Sequence, residues 1–154
     1  MNVVNELQKP HVVVAAIIER FGRFLLVEEY TPEGVRLNQP AGHLEAGESL
    51  VEAVCRETLE ETARVFTPEA LTGVYRLAGT PSRPSFIRFA FRGAVGERVA
   101  GRPLDRDILR ADWFSLEEIR ANRARHRSPL VLRCIDDYLS GRHFPIDLLR
   151  DCDP

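Results

Sequence analysis

The stretch from Gly42 to Glu61, GHLEAGESLVEAVCRETLEE, constrains the chain more than any other. Two glycines, Gly42 and Gly47, close an extended segment, and Ser49 followed three residues later by Glu52 forms a capping box. That spacing predicts a helix over about 50–64. At roughly 100° per residue, Glu60 and Glu61 lie at about −60° and +40° from Glu57, while Val51, Cys55 and Leu59 fall on the far side. The three acids therefore share one face in the C-terminal half of the helix. There the macrodipole disfavours negative charge, and side chains at i, i+3 and i+4 repel. One reading is a solvated acidic face with Arg56 and Glu60 as an ordinary i, i+4 pair. The glycine-containing loop just upstream favours another. It can deliver backbone carbonyls beside the carboxylates, and oxygen donors of that kind suit Mg²⁺ or Mn²⁺.

The rest of the chain supplies strands around this helix. HVVVAAIIE and FLLVEEY are β-rich runs separated by the turn-like RFGR, which predicts a hairpin. TPEG punctuates before the short extended VRLNQP. LTGVYRLAG and SFIRFAFRGAV read as two more strands, joined by the proline-containing GTPSRPS. ILRADWFSLEEIR ends a strand and starts a short helix, and Ser128 with Pro129 opens a last helix that Gly141 closes. At 154 residues and 44% hydrophobic, the chain suits one well-buried core, and a single domain over residues 1–154 is expected.

Charge and cysteine usage narrow the function classes. A net charge of −2 without any long Lys/Arg stripe lacks the electrostatic footprint of a nucleic-acid binder. Cys55, Cys134 and Cys152 are odd in number and widely spaced, with no C-x-x-C pair, which argues for reduced thiols over a disulfide framework or a zinc site. MNVVNELQKP has no basic region followed by an apolar one, and no apolar run approaches the roughly 20 residues that span a bilayer. A soluble cytoplasmic protein with no membrane partner is expected.

Gly42, Glu48, Arg56-Glu57 and Glu60-Glu61, at these spacings, resemble the Nudix box, the loop–helix–loop signature of Nudix hydrolases. NQPAGHLEAGESL and RSPLVLRCIDDYLSGRHFP extend the likeness to the NudJ subgroup of phosphatases, over about residues 10 to 147. The resemblance implies an α/β fold, an α/β/α sandwich with a mixed sheet. It also implies Mg²⁺-dependent hydrolysis of nucleoside di- and triphosphates and of thiamine-type pyrophosphates, with Mn²⁺ as a possible substitute. Carried over by position, Glu57, Glu60, Glu61 and the Gly42 carbonyl resemble the metal ligands. Arg56 resembles the residue that orients the glutamates, and Glu48 a loop-stabilising acid. Thr58 departs from the usual aliphatic residue, and Ala63-Arg64 from glycine followed by an aliphatic, which predicts an altered helix exit.

A diphosphate is inert because its anionic oxygens repel a nucleophile, so catalysis needs cations on the phosphates and an in-line water. The general base stays open between Glu57 and a loop acid, Asp105 or Asp107, with Asp107 and Glu61 counted among the catalytic candidates. His43, Arg76 and Arg88 are candidates for binding substrate, as is Arg83; each also reads as an ordinary surface or structural residue. Tyr75, Phe86, Phe89 and Phe91 are candidates for stacking on a ring. The partner expected is a small nucleotide or pyrophosphate, taken by a monomer or small homo-oligomer. Two alternatives remain. Pro81 stands roughly where some ADP-ribose-cleaving relatives carry a proline, and a ligand-binding module without turnover would share the fold.

Overall fold

The apolar run at His11–Ile17 is a strand covered on both faces, the situation in which alternation disappears from a sequence. The computed structural model describes residues 9–152; Met1–Gln8, read above for an export signal, lie outside them. In chain order the elements are β1 (His11–Ile17), β2 (Glu19–Arg20), β3 (Arg23–Thr31), β4 (Gly34–Asn38), β5 (Ala41–His43) and α1 (Leu50–Thr62). They continue with β6 (Phe66–Leu77), β7 (Phe86–Val95), β8 (Ile108–Ser115), α2 (Leu116–Ala121) and α3 (Leu130–Leu139).

One sheet has the order β5-β1-β7-β6 and is mixed, because β1 runs parallel to β7 and antiparallel to β5. Val14 and Ala16 on one face of β1 join Ala53 and Val54 of α1, with Phe66, Leu71 and Phe91, in one core. Ile17 on the other face joins Leu130, Cys134 and Ile135 of α3, with Ile119 of α2, in a second. The sheet is thus sandwiched between α1 and the α2–α3 segment, the α/β arrangement with a mixed sheet that the sequence implies. β3 forms a second sheet with β8 along one side and with β2 and β4 along the other.

Three expectations are corrected. The two N-terminal β runs do not form one hairpin. β1 stays in the first sheet, and only Glu19–Arg20 returns against Arg23–Phe24 of β3 across a turn whose Phe21 and Gly22 both have positive φ. The run splits because its first part fills a strand covered on both faces by helices. β6 starts at Phe66, five residues before the expected Leu71, and takes in Pro68. The proline is tolerated because β6 lies at the sheet edge and the register slips between Pro68 and Ala70. Of the two readings of the acid face, the solvated one does not describe Glu57 and Glu61, which are buried with Ala53, Val54, Thr58 and Thr62, while Glu60 is half-buried.

The third correction is the helix exit, which the sequence at Ala63-Arg64 predicts to be altered. Ala63 takes the left-handed conformation, φ 55° and ψ 31°, and its N–H donates to the Leu59 carbonyl. The exit therefore keeps a glycine-type geometry without the glycine, at a cost of about 1 kcal/mol. Thr58, buried where an aliphatic residue is usual, satisfies its hydroxyl by donating to the Val54 carbonyl at 2.7 Å.

Candidate active site

Register brings the glycine loop to the acids. Val14 on β1 faces Gly42 on β5, so β5 lies along the sheet edge beside α1. An ideal Cβ placed on Gly42 would lie 2.1 Å from Glu57 Cδ and Oε1, closer than any real contact. The Glu57 carboxylate therefore occupies the space that glycine leaves vacant.

Arg56 is the hub of the cluster. Its Nε and Nη2 fork onto Glu48, at 2.9 Å and 2.6 Å. Nη1 donates to Glu57 Oε1 at 2.8 Å and to Glu60 Oε2 at 3.1 Å, and Nη2 reaches the His43 carbonyl at 3.0 Å. One guanidinium thus ties three acids of the motif to the loop. Glu48 also accepts the Glu45 N–H at 2.9 Å, and these bonds, led by the one to Arg56, hold its carboxyl below the usual carboxylate range. Burial pushes the Glu57 carboxyl up, with Arg56 opposing. Burial pushes Glu61 well above its ordinary value, opposed by the Ala41 N–H, which donates to Glu61 Oε2 at 3.1 Å.

By donor type, these carboxylates and the Gly42 carbonyl fit a hard divalent cation, and the vacant Cβ position of Gly42 is what lets Glu57 approach the loop. As they stand, no three His, Cys, Asp or Glu side chains among the described residues converge in ligating geometry. Arg56 engages Glu57 and Glu60, and the Ala41 N–H engages Glu61.

Beside the loop lies a cleft of about 600 Å³ whose wall includes Gly42, His43, Phe86, Arg88, Leu77 and Arg127. His43 Nε2 is 3.0 Å from His11 Nδ1, and His11 also meets Phe86 edge-on. Burial, and then the His11 charge, lower the His43 pKa. Arg88 is 5% exposed. Its Nη1 and Nη2 donate to Gln39 Oε1 at 2.9 Å and Asn38 Oδ1 at 3.2 Å, so two side-chain carbonyls hold it in place at the cleft. Arg83 lines the cleft and pairs with Glu33.

Other candidates are not brought together here. Arg76 is exposed and lines no part of the cleft, because the alternation of β6 turns its neighbours Tyr75 and Leu77 inward instead. Of the aromatic residues, Phe86 alone lines the cleft; Phe91 is in the core, and the Tyr75 hydroxyl donates to Asp137 at 2.9 Å. Asp107 is exposed, and its charge bears on Glu29 rather than on the motif acids. Asp105 is the loop acid that meets the helix: its N–H donates to the Glu60 carbonyl at 2.9 Å, and its charge raises both Glu57 and Glu61.

Sequence reasoning missed Glu29, Asn38 and Gln39. Glu29 lines the cleft, pairs with Arg127 at 3.2 Å and is raised by burial. The available signal was an acid pair in an apolar strand, FLLVEEY, whose two members must face opposite sides. Glu28 turns the other way and binds Arg110 and Arg125.

Comparison with known proteins gives the family. A family model described as the NUDIX domain matches residues 8–134. The chain is 40% identical over 143 residues to phosphatase NudJ of Escherichia coli K12, covering 93% of this chain and 92% of that protein. A solved NUDIX hydrolase from Nitrosomonas europaea superposes with a TM-score of 0.89 at 50% identity, covering 94% of this chain and 98% of the other. A Burkholderia pseudomallei MutT NUDIX hydrolase shares the fold at 20% identity and a TM-score of 0.72, covering 84% and 98%. This chain belongs to the Nudix hydrolase family and is a phosphohydrolase.

Proposed function

We propose that the chain hydrolyses phosphoanhydride bonds of nucleoside di- and triphosphates and of related pyrophosphates such as thiamine pyrophosphate, with Mg²⁺, or Mn²⁺ in its place, by attack of water on phosphorus. The observation that carries this reading is the placement of Glu57 and Glu60 on one arginine, with Glu61 held by the Ala41 N–H beside them and Glu57 against a loop glycine, at the edge of a cleft of ligand size. Gly42, Glu57, Glu60 and Glu61 would hold the divalent cation, which would supply positive charge to the phosphate oxygens and make water more acidic.

The chain's own residues do the rest. Arg56 fixes the carboxylates and is in turn fixed by Glu48, so the donors need little reorganisation when substrate arrives. Glu57, buried and raised in pKa, is the candidate proton acceptor, with Asp105 next to the helix as the loop acid in preference to Asp107. His43 at the rim suits contact with a phosphate. Arg88, immobilised by Asn38 and Gln39, acts on substrate mainly by electrostatic field and by shaping the cleft. Phe86 offers an aromatic edge to a ring. The three thiols, all free, suit a reducing cytoplasm. Pro81, the residue that suggested the ADP-ribose reading, does not line the cleft, although Thr80 and Arg83 of the same loop do.

The test is a panel of GDP, GTP, thiamine pyrophosphate and ADP-ribose, each with Mg²⁺ or with excess EDTA, with early products separated by chromatography. Stepwise orthophosphate from GTP and good turnover of GDP, both abolished by EDTA, are expected. Pyrophosphate as the sole inorganic product overturns the NudJ-like specificity. AMP from ADP-ribose alone assigns the alternative substrate, and binding with no product assigns a module without turnover. Full turnover in EDTA removes the metal from the reading.

A further inference from the structure

Beyond the cleft is a second concavity of about 310 Å³, walled by Arg36, Arg83, Arg123 and Arg127 with Glu33 as the only carboxylate. That volume has room for a hydrated anion such as a phosphoryl group. Arg83 is neutralised by Glu33, and Arg127 by Glu29. The guanidinium groups of Arg36 and Arg123 take part in no hydrogen bond or ion pair among the described residues. Arg36 is half-buried on β4, and Arg123 is exposed. His126 is in the same wall; burial lowers its pKa, and its Nε2 is 2.8 Å from the Ile119 carbonyl.

Converging unpaired arginines repel one another unless an anion sits between them, and guanidinium forks match phosphate oxygens in geometry. The two concavities share Glu33, Arg83 and Arg127 in their walls, so an anion in the second lies next to whatever fills the first.

We propose that the Arg36–Arg123–Arg127 concavity is a second anion site that binds a phosphoryl group adjoining the substrate cleft, either a phosphate carried on the substrate away from the scissile diphosphate or free orthophosphate. The substrate source rests on the diphosphatase activity proposed above; the anion site itself does not.

The experiment has two arms. In the first, the metal-free, full-length protein is titrated with orthophosphate while the arginine Nε–H signals are followed by NMR. Saturable shifts at Arg36 and Arg123, with a Kd on the order of millimolar, and at least about tenfold weaker binding in an Arg36→Gln/Arg123→Gln variant are expected. No saturable shift at either arginine, or unchanged affinity in the variant, overturns the site. In the second arm, kcat/KM with Mg²⁺ is compared for GDP and for GDP bearing a 3′-phosphate. A preference of about tenfold or more for the latter, collapsing towards one in the variant, assigns the phosphoryl group to the substrate. A ratio near one in the wild type assigns it to free orthophosphate and overturns the substrate source. If neither compound is hydrolysed, the diphosphatase reading falls, and the metal-free titration still decides the anion site.

Discussion

The Glu57 carboxylate fills the volume that a side chain on residue 42 would need: Cδ and Oε1 lie 2.1 Å from the ideal Cβ position of Gly42. Glycine at 42 is therefore required by its neighbour, since its own φ lies outside the left-handed range. Gly42→Ala must push Glu57 away from the loop. Activity on a confirmed substrate is expected to fall about 10²-fold, the scale of an ångström-sized misplacement of a reacting group. Circular dichroism should be unchanged, and steady-state kinetics of the folded variant checks the prediction. Near wild-type kcat would mean that Glu57 does not act from this position.

Arg56 hydrogen-bonds to three carboxylates and to the His43 carbonyl, so its removal strands several buried or half-buried groups at once. Arg56→Ala should destabilise the fold by about 3 kcal/mol, as expected when a well-packed ion pair loses one partner. Arg56→Lys keeps the charge and loses the fork onto Glu48, so it should recover part of the stability while kcat stays low. Urea denaturation paired with kinetics separates these effects.

The motif segment was legible in sequence because its signals are local. The capping box at Ser49 and Glu52 formed as read, and spacing alone placed Glu57, Glu60 and Arg56 within reach of one another. What stayed hidden depended on contacts distant in sequence. Helical projection could not tell that the face carrying Glu57 and Glu61 is turned inward, because β5 and the loop supplied by Asp105 cover it. Arg88 reads as a phosphate-gripping arginine, yet Asn38 and Gln39, about fifty residues away, each take a bond from one of its Nη atoms. Asp105 and Asp107 were indistinguishable until the Asp105 N–H was seen to bond to the Glu60 carbonyl. The β1 run misled for a related reason, since continuous burial hides which sheet a strand joins.

Glu28 controls the acid side of the stability profile. Its carboxylate binds Arg110 and Arg125, the latter on the segment that leads to the cleft residues Arg127 and Ser128. Its pKa is lowered, first by the Arg110 hydrogen bond. A lowered folded-state pKa contributes stability above the unfolded value of 4.5, and that contribution is lost as pH falls through the folded value. Glu28→Gln should therefore cost about 2 kcal/mol at pH 7. The difference from wild type should shrink below pH 4.5, and urea titrations across pH measure it. A constant difference at all pH values would contradict the assignment.

Glu61 predicts the opposite sign. Its carboxyl is buried against the Ala41 N–H and raised well above 4.5 by burial. Below the unfolded value both states hold the proton and the group contributes nothing. As pH rises beyond it, the unfolded chain ionises freely while the folded chain resists, so stability is lost until the folded value is passed. Glu61→Gln keeps an oxygen to accept the Ala41 N–H and abolishes the ionisation. Without metal it should melt at or above the wild-type temperature at neutral pH, with the advantage vanishing near pH 4. Glu57→Gln should behave similarly but more weakly, because Arg56 already opposes its desolvation. Both variants should nevertheless lose turnover, by about 10²-fold or more for the worse of the two, as when a principal electrostatic stabiliser is removed. Added Mg²⁺ should raise the melting temperature of the wild type and much less that of either variant, since the stabilisation grows with the logarithm of the affinity each retains. A buried acid serving packing alone would give the stability pattern without the kinetic loss. If Glu57→Gln and Glu61→Gln both turn over a confirmed substrate at the wild-type rate, the acids around Arg56 are not the metal site.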